Sequence, residues 1–119
     1  MQRESAKLLS DILEAGERIR QYTRGKTRDN FLTEGQVRDA ANWNFSVIGE
    51  ALSQLHKLDA GTAERITEWQ RIIAFRNQLI HGYGVIKNEI TWDIIENKLP
   101  ILMTEISCLL ASPDPPGNA

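Results

Sequence analysis

The chain has 119 residues, of which 41% are hydrophobic and 25% are charged, and its formal net charge is −2 at pH 7. These values are typical of a single soluble globular domain, and no stretch approaches the roughly 20 apolar residues of a membrane helix. A lone cysteine, Cys108, excludes an internal disulfide framework and indicates a reducing compartment. Since the N-terminal segment lacks an apolar run with a cleavage site, we expect no signal peptide and a cytoplasmic location.

The acidic balance argues against tight binding of duplex DNA, because proteins that neutralise phosphates usually carry a clear basic excess. A local basic cluster nevertheless surrounds the first predicted turn. It consists of Arg18, Arg20, Arg24, Lys26 and Arg28. Any nucleic-acid activity would need this cluster, or charges pooled by oligomerisation.

Apolar residues recur at three- and four-residue steps along the chain, and no segment shows the period-two alternation of a strand. The first predicted helix ends at Gly25, because glycine suits the left-handed residue after a helix. Thr33 and Gln36 have the spacing of a capping box, which predicts that the second helix begins there.

A third helix is predicted over about residues 68–80, opened by a capping box of Thr67 and Gln70. The last helix is predicted to begin with Asn88 as its N-cap. Pro100 lies within this helix and should kink or split it, because proline has no backbone N–H to donate.

The fold class predicted from these segments is all-α, as an antiparallel bundle of four to five helices. The helical domain is expected to cover residues 1–111. Residues 112–119 are rich in proline and polar residues, so we expect a disordered C-terminal tail.

Arg76 is the first unusual residue of the third helix. On a helical wheel it falls inside the apolar arc, between Ile72 and Ile80. A guanidinium does not lose its proton in proteins, so its burial requires acceptors nearby. Glu50, in the middle of the second helix, is one candidate partner. A purely structural ion pair is the alternative to a functional role for Arg76.

His81 follows the predicted third helix and shares a polar ridge with Asn77. Arg76 and His81 point about 140° apart on an ideal helix. They can converge only if the helix end unwinds, or if a second copy of the chain supplies the missing group. Histidine can transfer a proton and arginine can stabilise charge on a phosphoryl oxygen. No spacing of carboxylates and histidines resembles a ligand set, so we expect neither a metal nor another cofactor.

Arg76-Asn77, three further residues and His81-x-Tyr83 resemble the Arg-x4-His motif of the HEPN superfamily. The tyrosine makes the motif similar to that of the HepT toxins in HepT–MntA toxin–antitoxin systems. The similarity extends over most of residues 5–110. The segments that carry it are residues 13–25, 47–51, 69–83, 91–93 and 97–100.

The resemblance implies a HEPN-like homodimer, the toxin of a type VII toxin–antitoxin system, that cleaves RNA without a metal at the dimer cleft. His81 would act on the ribose 2′-hydroxyl or the leaving group, and Arg76 would stabilise the phosphorane-like transition state. Asn77 would orient one of them. Tyr83 would be the residue to which a MntA-like nucleotidyltransferase antitoxin adds AMP.

Two other functions remain open. The chain could be a non-catalytic helical subunit that docks on and regulates the nucleotidyltransferase, which the acidic balance favours, or a nucleotide-binding sensor. Single residues also have structural interpretations, since His81 could satisfy helix C-terminal carbonyls and Tyr83 could pack in the core. Three tryptophans are expected to pack in the core or at an interface. They are Trp43, Trp69 and Trp92.

Overall fold

A computed structural model describes residues 1–82 and 86–112, in which every regular element is helical. The predicted all-α fold class is therefore confirmed. None of the helices in the described residues is long and apolar enough to cross a bilayer. The elements are α1 (Arg3–Thr23), α2 (Arg28–Thr33), α3 (Gly35–Leu58), α4 (Ala60–Ala63), α5 (Trp69–His81), α6 (Asn88–Asp93), a π-helical segment (Ile94–Lys98) and α7 (Leu99–Ala111).

The core lies where α1 packs along α3 and against α7. Its side chains recur at three- and four-residue intervals, so that each helix turns one apolar stripe inward. Several of them have no exposed surface. These are Leu9, Ile12 and Ile19 of α1, Ile48, Leu52 and Leu55 of α3, and Ile106 of α7.

A hydrogen bond between buried Ser5 and Asp59 joins the beginning of α1 to the end of α3. The Ser5 hydroxyl donates to Asp59 Oδ2 at 3.0 Å, and the Thr62 hydroxyl donates to the same oxygen at 2.7 Å. Hydrogen bonds from Thr62 and Ser5 lower the pKa of Asp59, although partial burial opposes them. The contact shows that α1 and α3 are antiparallel.

Helix α5 packs mainly on α3 and has no fully buried residue. The rings of His56 and Trp69 stack with centroids 4.2 Å apart, which places the start of α5 beside the end of α3. The two helices are therefore also antiparallel. The apolar stripe of α5 is only half-buried, and it consists of Ile72, Ile73, Phe75 and Leu79.

Both predicted capping boxes are wrong. Thr33 ends the short helix α2, which is opened instead by reciprocal hydrogen bonds between Thr27 and Asn30. Thr67 donates its N–H and its hydroxyl to the Glu105 carboxylate of α7, at 2.9 and 2.6 Å. A tertiary acceptor thus replaces the local partner that the sequence pattern suggested.

Pro100 was predicted to kink or split the last helix, but the chain is helical without interruption from Asn88 to Ala111, and its irregularity is the π-helical segment between α6 and α7. The Leu99 N–H donates to the carbonyl of Ile94, five residues back. Pro100 stands in the first turn of α7, where its missing N–H is tolerated. The predicted N-cap is displaced by one residue, because Asn88 is the first residue of α6 and Lys87 precedes it. Residues 113–119, most of the predicted tail, lie outside the described residues.

Candidate active site

Arg76 lies on the face of α5 that meets α3, and two side chains hold its guanidinium. Its Nη2 lies 2.7 Å from Glu50 Oε2, and its Nη1 donates to Asn77 Oδ1 at 2.9 Å. The side chain is 25% exposed, while Nε is buried without a hydrogen-bond partner in the described part of the chain. Glu50 is thus the acceptor that a partly buried guanidinium requires.

Gly49 allows α5 to approach α3 at this point. A Cβ atom on Gly49 would lie 2.1 Å from Arg76 Cβ and 2.6 Å from Arg76 Cγ, far inside van der Waals contact. Glycine in a helix interior costs about 1 kcal/mol relative to alanine, so its presence in α3 has a packing reason. Gly49 is not among the site residues predicted from the sequence, and a glycine in mid-helix is the signal that points to it.

His81 is the last residue of α5, and its side chain is exposed. It makes no hydrogen bond or ion pair within residues 1–82 and 86–112. Helix α5 stays regular from Arg76 to His81, and the Gly82 N–H still donates to the Gln78 carbonyl. The helix end therefore does not unwind to bring Arg76 and His81 together within one chain. Asn77 is exposed beside Arg76, and Tyr83 lies outside the described residues.

An open groove of about 490 Å³ runs between α1, α3 and α5. Arg76 and Glu50 lie in it, and Ile80 lines it although this side chain is 45% exposed. Two ion pairs neutralise much of the lining, because Arg18 pairs with Glu14 as Arg76 pairs with Glu50. The groove thus has an apolar floor and paired charges at its walls.

The three tryptophans occupy different environments. Trp92 is buried against Phe31, and Trp69 is half-buried on His56. Trp43 also lines the groove, but 69% of it is exposed. A place in the core is therefore wrong for Trp43, while a role at an interface stays open.

His56 pairs its Nε2 with Glu64 Oε2 at 3.0 Å and stacks on Trp69. It lies at the end of α5 opposite His81, so the two histidines do not form a pair. No group of three or more His, Cys, Asp or Glu side chains in the described ranges is arranged to hold a metal ion.

Comparison with known proteins identifies the family. The Ribonuclease HepT-like family matches residues 12–109. The chain belongs to the HepT-like ribonucleases. No solved structure shows a significant match to it.

Curated relatives of this HepT-like chain occur in archaea. A candidate RNase of Methanocaldococcus jannaschii is 36% identical over 98 residues, covering 82% of this chain and 80% of the relative. A second protein of that organism, described as a gamma-glutamylcyclotransferase and candidate RNase, is 30% identical over 92% of this chain. The chain spans 49% of that longer relative. A candidate ribonuclease HepT of Thermococcus cleftensis is 28% identical over 86% of this chain and 92% of the relative.

Proposed function

We propose that this chain is the toxin of a type VII toxin–antitoxin system, a metal-independent endoribonuclease that acts as a homodimer. The observation that carries the proposal is the placement of Arg76. Its charged end opens into the groove while Glu50 and Asn77 fix its orientation. Membership of the HepT-like ribonucleases supplies the reaction class.

Arg76 is suited to stabilise a phosphoryl group in the transition state. Glu50 and Asn77 engage one N–H of each terminal guanidinium nitrogen, which leaves the second N–H of each for a phosphate. Fixed donors that face developing negative charge stabilise it without reorganising during the reaction. Asn77 would hold Arg76 in this orientation.

His81 would supply the proton transfer. The ribose 2′-oxygen attacks the adjacent phosphorus while His81 takes its proton, and the bond from phosphorus to the 5′-oxygen breaks. A proton returned to that oxygen completes the leaving group. The products are a 2′,3′-cyclic phosphate end and a 5′-hydroxyl end, so this step consumes no water.

A second copy of the chain would complete the site. Five residues along a regular helix separate Arg76 from His81 by about 140° and about 7.5 Å along the axis. Because α5 is regular through His81 and exposes it, a two-fold dimer that pairs the α5 ends would place His81 of one copy near Arg76 of the other.

Tyr83 would be the site of control. It follows His81 by two residues, so AMP added to its hydroxyl by a MntA-like nucleotidyltransferase would bring a bulky anion close to the histidine. In the dimer the adenylate would also lie near an arginine that binds phosphates, and would occupy the cleft.

The alternative function is a non-catalytic helical subunit that regulates the nucleotidyltransferase. The paired charges of the groove favour it, because neutral walls offer little attraction to the RNA backbone. The two functions differ in the role of His81. A catalytic His81 can be replaced without loss of partner binding, whereas a docking His81 cannot.

The first experiment is induction of the wild type and of His81→Ala without the partner, with growth recorded and cellular RNA ends mapped. We expect growth arrest and cyclic-phosphate ends with the wild type only. The purified wild type should also cut RNA in the presence of EDTA. Co-purification of His81→Ala with the nucleotidyltransferase is the matched control for folding.

Absence of arrest with well-expressed wild type, together with weakened partner binding by His81→Ala, would contradict the toxin function and support the docking subunit. A Tyr83→Phe variant tests the control step. It should remain toxic in the presence of the nucleotidyltransferase and ATP, and mass spectrometry should find no added AMP on it.

A further inference from the structure

We infer that Trp43 is a base-stacking residue for single-stranded RNA, and that Arg24 and Arg28 bind the phosphates next to the stacked base. This inference rests on the proposed ribonuclease function, because it describes how the substrate continues beyond the reacting phosphate. It assigns a role to an exposed aromatic residue and to two arginines that the proposed chemistry does not use.

Trp43 lies at the His81 end of the groove. The contact of Ser5 with Asp59 makes α1 antiparallel to α3, and the stack of His56 on Trp69 makes α5 antiparallel to α3. The C-terminal ends of α1 and α5 therefore both lie beside the N-terminal half of α3, which carries Trp43. Consistently, Arg18, Trp43 and Ile80 line the groove together, and His81 follows Ile80 directly.

The charges of the groove are distributed unevenly along α1. Helix α1 contributes the carboxylates Asp11 and Glu14 to the lining, and both are paired within the helix. Its second half leads from Arg18 to the turn that contains Arg24, about 9 Å further along the helix axis. Residues 18–28, which lead to the end at which Trp43 lies, contain five basic residues and no acidic one.

Arg24 and Arg28 are two cations of this end whose charges are not paired in the described residues. Both side chains are exposed, and neither forms an ion pair within the described ranges. Arg20, which precedes them, is paired with Glu17, and Lys26, which lies between them, is paired with Glu34. Unpaired arginines can exchange counterions for phosphates without first breaking an ion pair.

An exposed indole and free arginines at the same end of a groove are a combination suited to single-stranded RNA. Bases stack on aromatic faces irrespective of their identity, while arginines follow the phosphates. Trp43 presents such a face, since it is the most exposed large apolar side chain of the described residues. Along α3, Arg76 lies on one side of Trp43, at Glu50, and the end of α1 with Arg24 lies on the other, so phosphates on either side of a stacked base would meet an arginine.

The test measures binding in the His81→Ala background, where the RNA stays intact. A short single-stranded RNA oligonucleotide of mixed sequence should quench the fluorescence of the exposed Trp43. For the variants, binding is measured with a label on the RNA. Trp43→Ala should weaken binding about 10-fold, and Trp43→Phe should restore most of it. Arg24→Gln and Arg28→Gln should each reduce the slope of log K against log salt by about 0.7.

Arg65→Gln is the matched control for charge, because Arg65 is exposed and unpaired in the described residues but lies between α4 and α5, at the other end of the groove. It should leave both affinity and slope unchanged. Unchanged affinity of Trp43→Ala overturns the inference. The inference is also overturned if Trp43→Ala loses affinity and sedimentation velocity at the same concentrations shows that its dimer has dissociated. Trp43 would then be a contact between copies of the chain.

The two proposals fail separately. If the wild-type chain cleaves RNA and Trp43→Ala cleaves it with the same KM, the stacking subsite is wrong and the ribonuclease stands. If the wild type neither binds nor cleaves RNA while correctly folded, the proposed function itself is overturned. A KM raised about 10-fold with unchanged kcat supports the stacking role.

Discussion

Helices α3 and α5 pack on each other but have opposite environments. Eight residues of α3 are buried, whereas α5 has none, although its sequence is also amphipathic. The two helices differ in how much of their surface other helices cover. Helix α3 lies between α1 and α5, whereas α5 packs mainly on α3 alone. The helix that stabilises the fold is therefore distinct from the helix that carries the candidate site.

This division explains how α5 can carry polar chemistry. A charged side chain on a helix covered on both faces would lose its hydration, but Arg76 keeps 25% exposure and two partners. His81 is exposed at the helix end. Gly49 is the point at which the two helices depend on each other, since it sets the depth of Arg76 against α3.

The largest expected difference between the two helices is in their apolar side chains. Leu52→Ala removes a side chain of α3 with no exposed surface and should lower the free energy of unfolding by about 3 kcal/mol. Leu79→Ala, in the half-buried stripe of α5, should cost about 1 kcal/mol because the site is open to solvent. Urea denaturation of both variants measures this. Equal losses of unfolding free energy would contradict the difference in burial between α3 and α5.

Gly49→Ala tests the contact that joins the helices. The added methyl group would overlap Arg76, so we expect a loss of about 1–2 kcal/mol despite the better helix propensity of alanine. RNA cleavage should fall because Arg76 is displaced. Gly61→Ala is the matched control, since a Cβ atom added to Gly61 would meet no other atom within 4 Å, and it should not destabilise the chain. A stable, fully active Gly49→Ala would show that α5 can shift freely.

Replacement of Asp59 tests how the end of α3 is fixed to the beginning of α1. Asp59→Ala removes the acceptor for Ser5 and Thr62 and should cost about 1 kcal/mol near neutral pH. Because hydrogen bonding lowers the pKa of Asp59 from 3.8, the stabilisation from its charged form is present above that value. It is lost as the pH falls through the lowered pKa. The difference in urea midpoint between wild type and variant should therefore be largest at about pH 6 and should shrink as the pH falls below 3.8. A constant difference would exclude this charge effect.

Glu50→Gln should have the smallest effect on stability, about 0.5 kcal/mol, because the ion pair with Arg76 is partly exposed. Its effect on catalysis should be larger. A misoriented Arg76 should lower kcat about 10-fold with little change in KM, measured on a single-stranded RNA. Unchanged kcat would mean that Glu50 serves only the packing of α3 against α5.

Much of the fold followed from periodicity, and the errors were local. The long helices and an irregularity near Pro100 were predicted because apolar spacing and the missing proline donor act within one segment, although the helix is not interrupted there. The capping boxes failed where a tertiary partner or an additional short helix supplied the hydrogen bonds. Thr67, for example, bonds to Glu105, which is 38 residues away in the chain.

The sequence by itself determined the helical class, the unusual position of a charged Arg76 within an apolar arc, and the HepT-like motif. These features depend on spacing within single helices. Tertiary structure alone decided how far each helix is covered, which residues share the groove and why Gly49 is needed beside Arg76. Those properties arise when separate helices pack, and side chains such as Trp43 have the same local sequence signal whether a neighbouring helix covers them or not.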